Sequence, residues 1–99
     1  MLVSVVVPTY NGADHLSDAI RSVLCQTHEQ LELIIVNDAS PDNTDELIRQ
    51  FEDPRLQYIK LPKNGGAVAA RNRGVQAARG ELIAFLDQDD YFSPDKLVT

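Results

Sequence analysis

The sequence has a single cysteine and few basic residues, and each scarcity removes a class of answers. With Cys25 alone no internal disulfide can form, so a reducing, cytoplasmic setting is expected. Cys25 sits in an apolar helical stretch and is expected to be a packed core thiol rather than a nucleophile. No apolar run approaches the roughly 20 residues of a membrane span. The opening "MLVSVVVPTYNG" has no basic leader and breaks at Pro8, so it reads as a strand and not a signal peptide. Nine basic residues stand against 15 acidic ones, a net charge of -6. The bases are scattered, which argues against a nucleic-acid surface. What remains is ordinary for a soluble domain with one modest core: 99 residues, 43% hydrophobic and 24% charged.

The hydrophobic pattern alternates between strand and helix. "LVSVVV" (2–7) is a β-branched run stopped by Pro8, as in a strand buried on both faces. Leu16, Ile20, Val23 and Leu24 recur at helical spacing, with Asn11 and Asp14 as the start signal. "LELIIV" (31–36) is a second buried strand. Ser40-Pro41 then opens a short helix striped by Leu47, Ile48 and Phe51. "LQYIKL" (56–61) alternates more and is placed nearer an edge. An alanine-rich helix follows "KNGG" and is expected to stop at Gly80. "LIAFL" (82–86) is a fourth, buried strand, and Ser93-Pro94 begins another helix. The order β-α-β-α-β-α-β-α predicts an α/β fold, a mainly parallel sheet of about four strands with helices on both faces. The last helix has barely begun at Thr99, so the chain reads as the first half of a larger domain.

In such a sheet, ligands bind beyond the carboxyl ends of the strands, where strand order reverses. The loops after the first, second and fourth strands, "PTYNG", "NDASPDN" and "DQDD", are expected to meet there. Neither G-x-G-x-x-G nor G-x-x-x-x-G-K-[ST] occurs, so a bound phosphate needs another positive charge. Asp87 and Asp89, at i and i+2 from a strand end, can aim at one hard cation such as Mn²⁺ or Mg²⁺. Asp90 is expected to turn outward or to support the next loop. The competing reading is a solvated acidic loop that caps the next helix. On a helical wheel Arg71 falls among Ala67, Ala70, Gly74, Val75 and Ala78, the inward face, so it needs an anionic partner. Asp38, another carboxylate or a ligand can serve, unless the side chain snorkels out to solvent. Asp42 and Asp45 are expected to serve as helix-start residues. Thr9, Tyr10 and Asn11 either line a pocket for a flat ring or merely make the turn. His15 and His28 have no metal-ligand spacing and are assigned to surface or packing.

Taken together, "VSVVVPTYNG", "LELIIVNDASPDNT", "NGGAVAARNRGVQAARGELIAFLDQDD" and "SPDKL" resemble the amino-terminal half of family 2 glycosyltransferases, which have the Rossmann-like GT-A fold. The resemblance covers nearly the whole chain. It implies inverting transfer of a sugar from a UDP- or dTDP-sugar donor to an acceptor hydroxyl, in cell-wall or polysaccharide synthesis. It also implies that Pro8, Thr9 and Tyr10 contact the base, and that Asp38 accepts a hydrogen bond from it. Arg71 would lie beside the base or diphosphate, Asp87 near the ribose or metal, and Asp89 on Mn²⁺ or Mg²⁺. The general base and acceptor pocket of such enzymes come from the second half, so no catalytic residue is assigned here. Membrane contact is expected only through further parts, and self-association is expected if the sheet leaves an edge open.

Three rivals remain. A response-regulator-like receiver wants an Asp after the third strand, where "LQYIKLPKN" has none. A dinucleotide oxidoreductase wants the missing glycine fingerprint. A non-catalytic nucleotide- or metal-binding or interaction module is compatible with all of these residues.

Overall fold

The computed structural model describes residues 2–10, 13–25, 30–39 and 44–86. Four strands and three helices alternate: β1 (Val3–Thr9), α1 (Ala13–Leu24), β2 (Leu31–Asn37), α2 (Thr44–Arg49), β3 (Leu56–Lys60), α3 (Gly66–Ala77) and β4 (Leu82–Phe85). All pairings are parallel and the sheet order is β3-β2-β1-β4. The chain steps outward from β1 to β3, then crosses back to place β4 on the other side of β1. That reversal puts a switch point beside the carboxyl end of β1.

Each face of the sheet has its own core. Val3, Val5 and Val7 of β1 and Leu31, Leu33 and Ile35 of β2 pack with Leu16, Ala19, Ile20 and Val23 of α1 and Ile48 of α2. On the opposite face Val6, Ile34 and Val36 meet Ala70 of α3. All seven residues of β2 are buried, which is why its sequence is apolar apart from Glu32 and the terminal Asn37 and does not alternate. α3 approaches closely because it carries a glycine there: a Cβ on Gly74 would lie 2.4 Å from Val6 Cγ1.

Several sequence expectations are corrected. β1 continues through Pro8 to Thr9. Even-numbered residues of β1 turn their backbone groups toward β4, as the Leu86 N–H donating to Val6 O at 3.1 Å shows. The last β4 partner is Phe85, opposite Val6, so the missing N–H of Pro8 falls past the end of that ladder. Gly80 does not stop α3, which ends at Ala77. It is needed instead for close approach, because a Cβ there would lie 2.6 Å from Ser4 Oγ and 2.8 Å from Leu2 O. Cys25 is exposed, just past the last turn of α1, so it is no core thiol. Val75 is 39% exposed; α3 turns Ala70, Gly74, Ala77 and Ala78 to the sheet instead. β4 is not a buried strand: Leu82, Ile83 and Phe85 are 54%, 40% and 48% exposed, although Arg71 of α3 lies over the Phe85 ring.

At the amino edge of the sheet, Glu32 is 5% exposed and fully engaged. Ser4 Oγ donates to its Oε2 at 2.5 Å and the Arg79 N–H at 2.6 Å, while Arg79 Nε reaches Oε1 at 3.4 Å. The Gly80 N–H donates to Ser4 Oγ at 2.8 Å, so one carboxylate ties β1 and β2 to the end of α3. Burial alone pushes the Glu32 pKa up, but the Ser4 hydroxyl, the Arg79 N–H and its guanidinium hold it below the usual glutamate value.

Candidate functional site at the carboxyl edge

β1 and β2 end side by side, with Thr9 opposite Asn37. The Asp38 N–H donates to Thr9 O at 2.9 Å, which carries the second strand one residue past the sheet while keeping it tied to the first. Asp38 is 4% exposed and Thr9 1%. A carboxylate so buried needs donors, and α3 supplies them: Gly65 N–H donates to Oδ1 at 2.8 Å and Gly66 N–H to Oδ2 at 2.9 Å. Asn64 Nδ2 adds a contact to the Asp38 carbonyl at 3.3 Å. α3 has no side-chain cap of its own, so Asp38 caps it from another strand, where its charge also suits the helix dipole. The backbone bends hard on both sides of this contact. Ala39 has φ 56° and Gly66 φ 90°, in the region that favours glycine.

The other expected residues lie around this point. Pro8 is half-buried and Tyr10 is 46% exposed, at the mouth of the edge. Arg71 is half-buried in the second turn of α3, with its guanidinium carbon 6.0 Å from the centre of the Phe85 ring. Phe85 is two residues before Asp87. Arg71 therefore stands over the end of β4, on the side of β1 away from β2. The structure brings Thr9 and Asp38 together, places Arg71 on the helix that Asp38 caps, and leaves Tyr10 open to solvent. Asp87, Asp89 and Asp90 lie outside the described residues, as do Asn11, Asp42 and His28.

A second polar cluster flanks the site. Asn37 Nδ2 donates to Tyr58 OH at 2.7 Å, and that hydroxyl donates to Asp45 Oδ1 at 2.5 Å. Lys60 Nζ bridges to Asp45 Oδ2 at 2.6 Å. Lys60 and then Tyr58 hold the Asp45 carboxyl below the usual aspartate range. Asp45 does lie in the first turn of α2, as expected of a helix-start residue, yet its side chain joins that helix to β3. Sequence reading missed this cluster, because Tyr58 and Lys60 are isolated residues in a strand. It also missed Gly65 and Gly66 as donors; the doubled glycine at the start of a helix was the available signal. Among the described residues no three His, Cys, Asp or Glu side chains gather in metal-binding geometry. An open groove of about 440 Å³ along α3, lined by Leu61, Lys63, Asn72 and Arg73, shares only Gly65 with the Asp38 cluster and is separate from it.

The arrangement is an anionic acceptor held rigidly between two strand ends, a cation on the adjoining helix, and an exposed aromatic ring at the mouth. It can grip a planar group that donates an N–H, with negative charge beyond it toward Arg71. Residues 4–98 match the model described as glycosyl transferase family 2. A putative teichuronic acid biosynthesis glycosyltransferase, TuaG, of Bacillus subtilis is 45% identical over 98 residues, 97% of this chain and 39% of its own length. The crystal structure of S. aureus TarS 1-349 in complex with UDP superposes with a TM-score of 0.92 at 31% identity, over 99% of this chain and 30% of that one. A mannosyltransferase, PcManGT from Pyrobaculum calidifontis, solved with GDP-Man and Mn²⁺, gives 0.85 at 28% identity over 91% of this chain and 28% of that one. The chain spans only 39% of the TuaG relative and as little as 14% of another, from Rickettsia bellii.

Proposed function

Because this chain belongs to glycosyl transferase family 2, we propose that it holds the nucleoside-diphosphate-sugar donor of an inverting glycosyl transfer. Pro8, Thr9, Tyr10 and Asp38 contact the base, Arg71 stands beside the base or diphosphate, and Asp87 is near the ribose. The observation that carries this reading is Asp38: buried at the meeting of β1 and β2, its carboxylate is fixed by two backbone N–H groups. An acceptor oriented in this way recognises a base that presents an N–H, such as uracil or thymine. The UDP and GDP-Man complexes of the similar structures support a nucleotide-sugar donor.

Asp87 and Asp89 are the proposed ligands of Mn²⁺ or Mg²⁺, and their oxygen donors suit either ion. When bound, such an ion offsets the charge that grows on the departing nucleoside diphosphate. Arg71 adds positive charge on the same side. The acceptor hydroxyl attacks from the face of the sugar opposite the leaving diphosphate, and the base that takes its proton is assigned to chain beyond these residues. Residues 1–99 are thus read as the donor half of a GT-A domain, cytoplasmic or at the cytoplasmic face of a membrane. The teichuronic acid relative favours a polysaccharide product. Exposure along β4 favours a second reading, a nucleotide-binding or interaction module without transfer.

Calorimetric titration of UDP and dTDP, with and without Mn²⁺, beside an Asp89→Asn variant, tests the proposal. Metal-dependent binding that the variant loses is the expected result. Binding indifferent to metal removes the aspartates from the donor site, and no binding by folded protein favours the interaction module.

A further inference from the structure

The residues that hold the Asp38 carboxylate belong neither to β2, which carries it, nor to β1 beside it, and one of them is in a conformation that has no packing reason. A Cβ on Gly66 would meet nothing within 4 Å, so glycine is not there for space. It is there for φ 90°, a backbone angle that places the Gly66 N–H 2.9 Å from Asp38 Oδ2. Gly65, at an ordinary φ of -120°, aims its own N–H at Oδ1. We infer that Gly66 is a positioning residue for base recognition: its left-handed turn presents the first N–H of α3 to Asp38 and so sets which carboxylate lone pairs face the nucleotide. The inference rests on the donor-binding reading above and deepens it.

The chemistry follows from counting lone pairs. Each carboxylate oxygen accepts about two hydrogen bonds, and α3 occupies one on each. The remaining lone pairs are then fixed in direction rather than free to rotate. A fixed anionic acceptor rewards a ring N–H and penalises a ring nitrogen lone pair, so the device is a selector for uracil over cytosine. Because α3 also carries Arg71, the same contact sets the distance between the base acceptor and the cation beside the diphosphate.

Gly66→Ala forces an L residue into the left-handed region, whereas Gly66→Asn keeps a residue that tolerates it. Affinities for UDP and CDP are measured by calorimetry on wild type and both variants. The expected result is that Gly66→Ala weakens UDP about tenfold, the value of one charge-assisted hydrogen bond, and narrows the UDP-to-CDP ratio by a similar factor. Gly66→Asn keeps both within about threefold of wild type, a difference under 1 kcal/mol. A folded Gly66→Ala variant with an unchanged ratio, or one that loses both nucleotides equally, overturns the positioning role and leaves the donor reading standing. Wild type that binds neither nucleotide overturns the donor reading and this inference together. Should Gly66→Ala not fold, amide exchange on wild type decides: UDP but not CDP slows exchange at Gly65 and Gly66, and unchanged rates at saturating UDP overturn the inference.

Discussion

Asp38 and Glu32 are buried carboxylates at opposite edges of one sheet, and their partners tell them apart. Glu32 is enclosed by Ser4, Arg79 and the chain leading to Gly80, all structural groups. Glu32→Gln is expected to cost about 1–3 kcal/mol, because the amide turns a donor toward existing donors. The loss depends on pH. The folded pKa of Glu32 is lowered, so its stabilisation is complete above the ordinary value of about 4.3 and is lost as pH falls through the folded value. Urea unfolding of wild type and variant at pH 7 and pH 3 measures this, and the gap between them narrows on acidification. Asp38→Asn is expected to abolish most UDP binding while costing about 1–3 kcal/mol in stability, since Gly65 or Gly66 loses its acceptor. A variant that binds UDP normally sinks the assignment. The placements of Asp38 at a strand end and of Arg71 on α3 were legible in the sequence, because a strand precedes the one and alanines share a helix face with the other. The Glu32 clasp was not, since Ser4, Glu32 and Arg79 meet only once the sheet register is set.

Among the elements, α3 shows how backbone approach decides sequence. In an exposed helix Gly→Ala stabilises by about 0.5–1 kcal/mol. At Gly74 the added methyl would sit 2.4 Å from Val6 Cγ1 and 3.3 Å from Val36 Cγ2. Overpacking of that kind costs about 1–3 kcal/mol, so the sign reverses. Thermal melting of Gly74→Ala is expected to show a lower Tm, by about 4–8 °C for each kcal/mol; an unchanged or raised Tm would mean that α3 can lift off the sheet freely. The strand and helix order was legible because apolar runs and helical stripes are local signals. The end of α3 was not: Gly80 looks like a stop signal, but its role is to pass close to Ser4 and Leu2, a contact across the chain. β3 was rightly placed near an edge by its alternation.

Across the whole molecule, the fold class and the facing of helices on both sides of the sheet followed from the sequence. The exposure of β4 did not, because "LIAFL" is as apolar as a central strand. Ile83 and Phe85 share the face of Ser4 and Val6, beside α3, and both stay substantially exposed although Arg71 lies over the Phe85 ring. An apolar edge without a charge or proline invites pairing. Residues 1–99 alone are expected to self-associate with rising concentration in sedimentation, and Ile83→Lys to shift them to monomer. Wild type that stays monomeric at every concentration refutes this. The same sheet order has a consequence during synthesis. β1 leaves the ribosome before the other described strands yet ends up between β2 and β4, and its partner Leu82 lies 79 residues after Val3 (82 − 3). At about 5–20 residues per second, one side of the nascent β1 waits on the order of 4–16 s for its neighbour, an interval in which a chaperone has time to hold it.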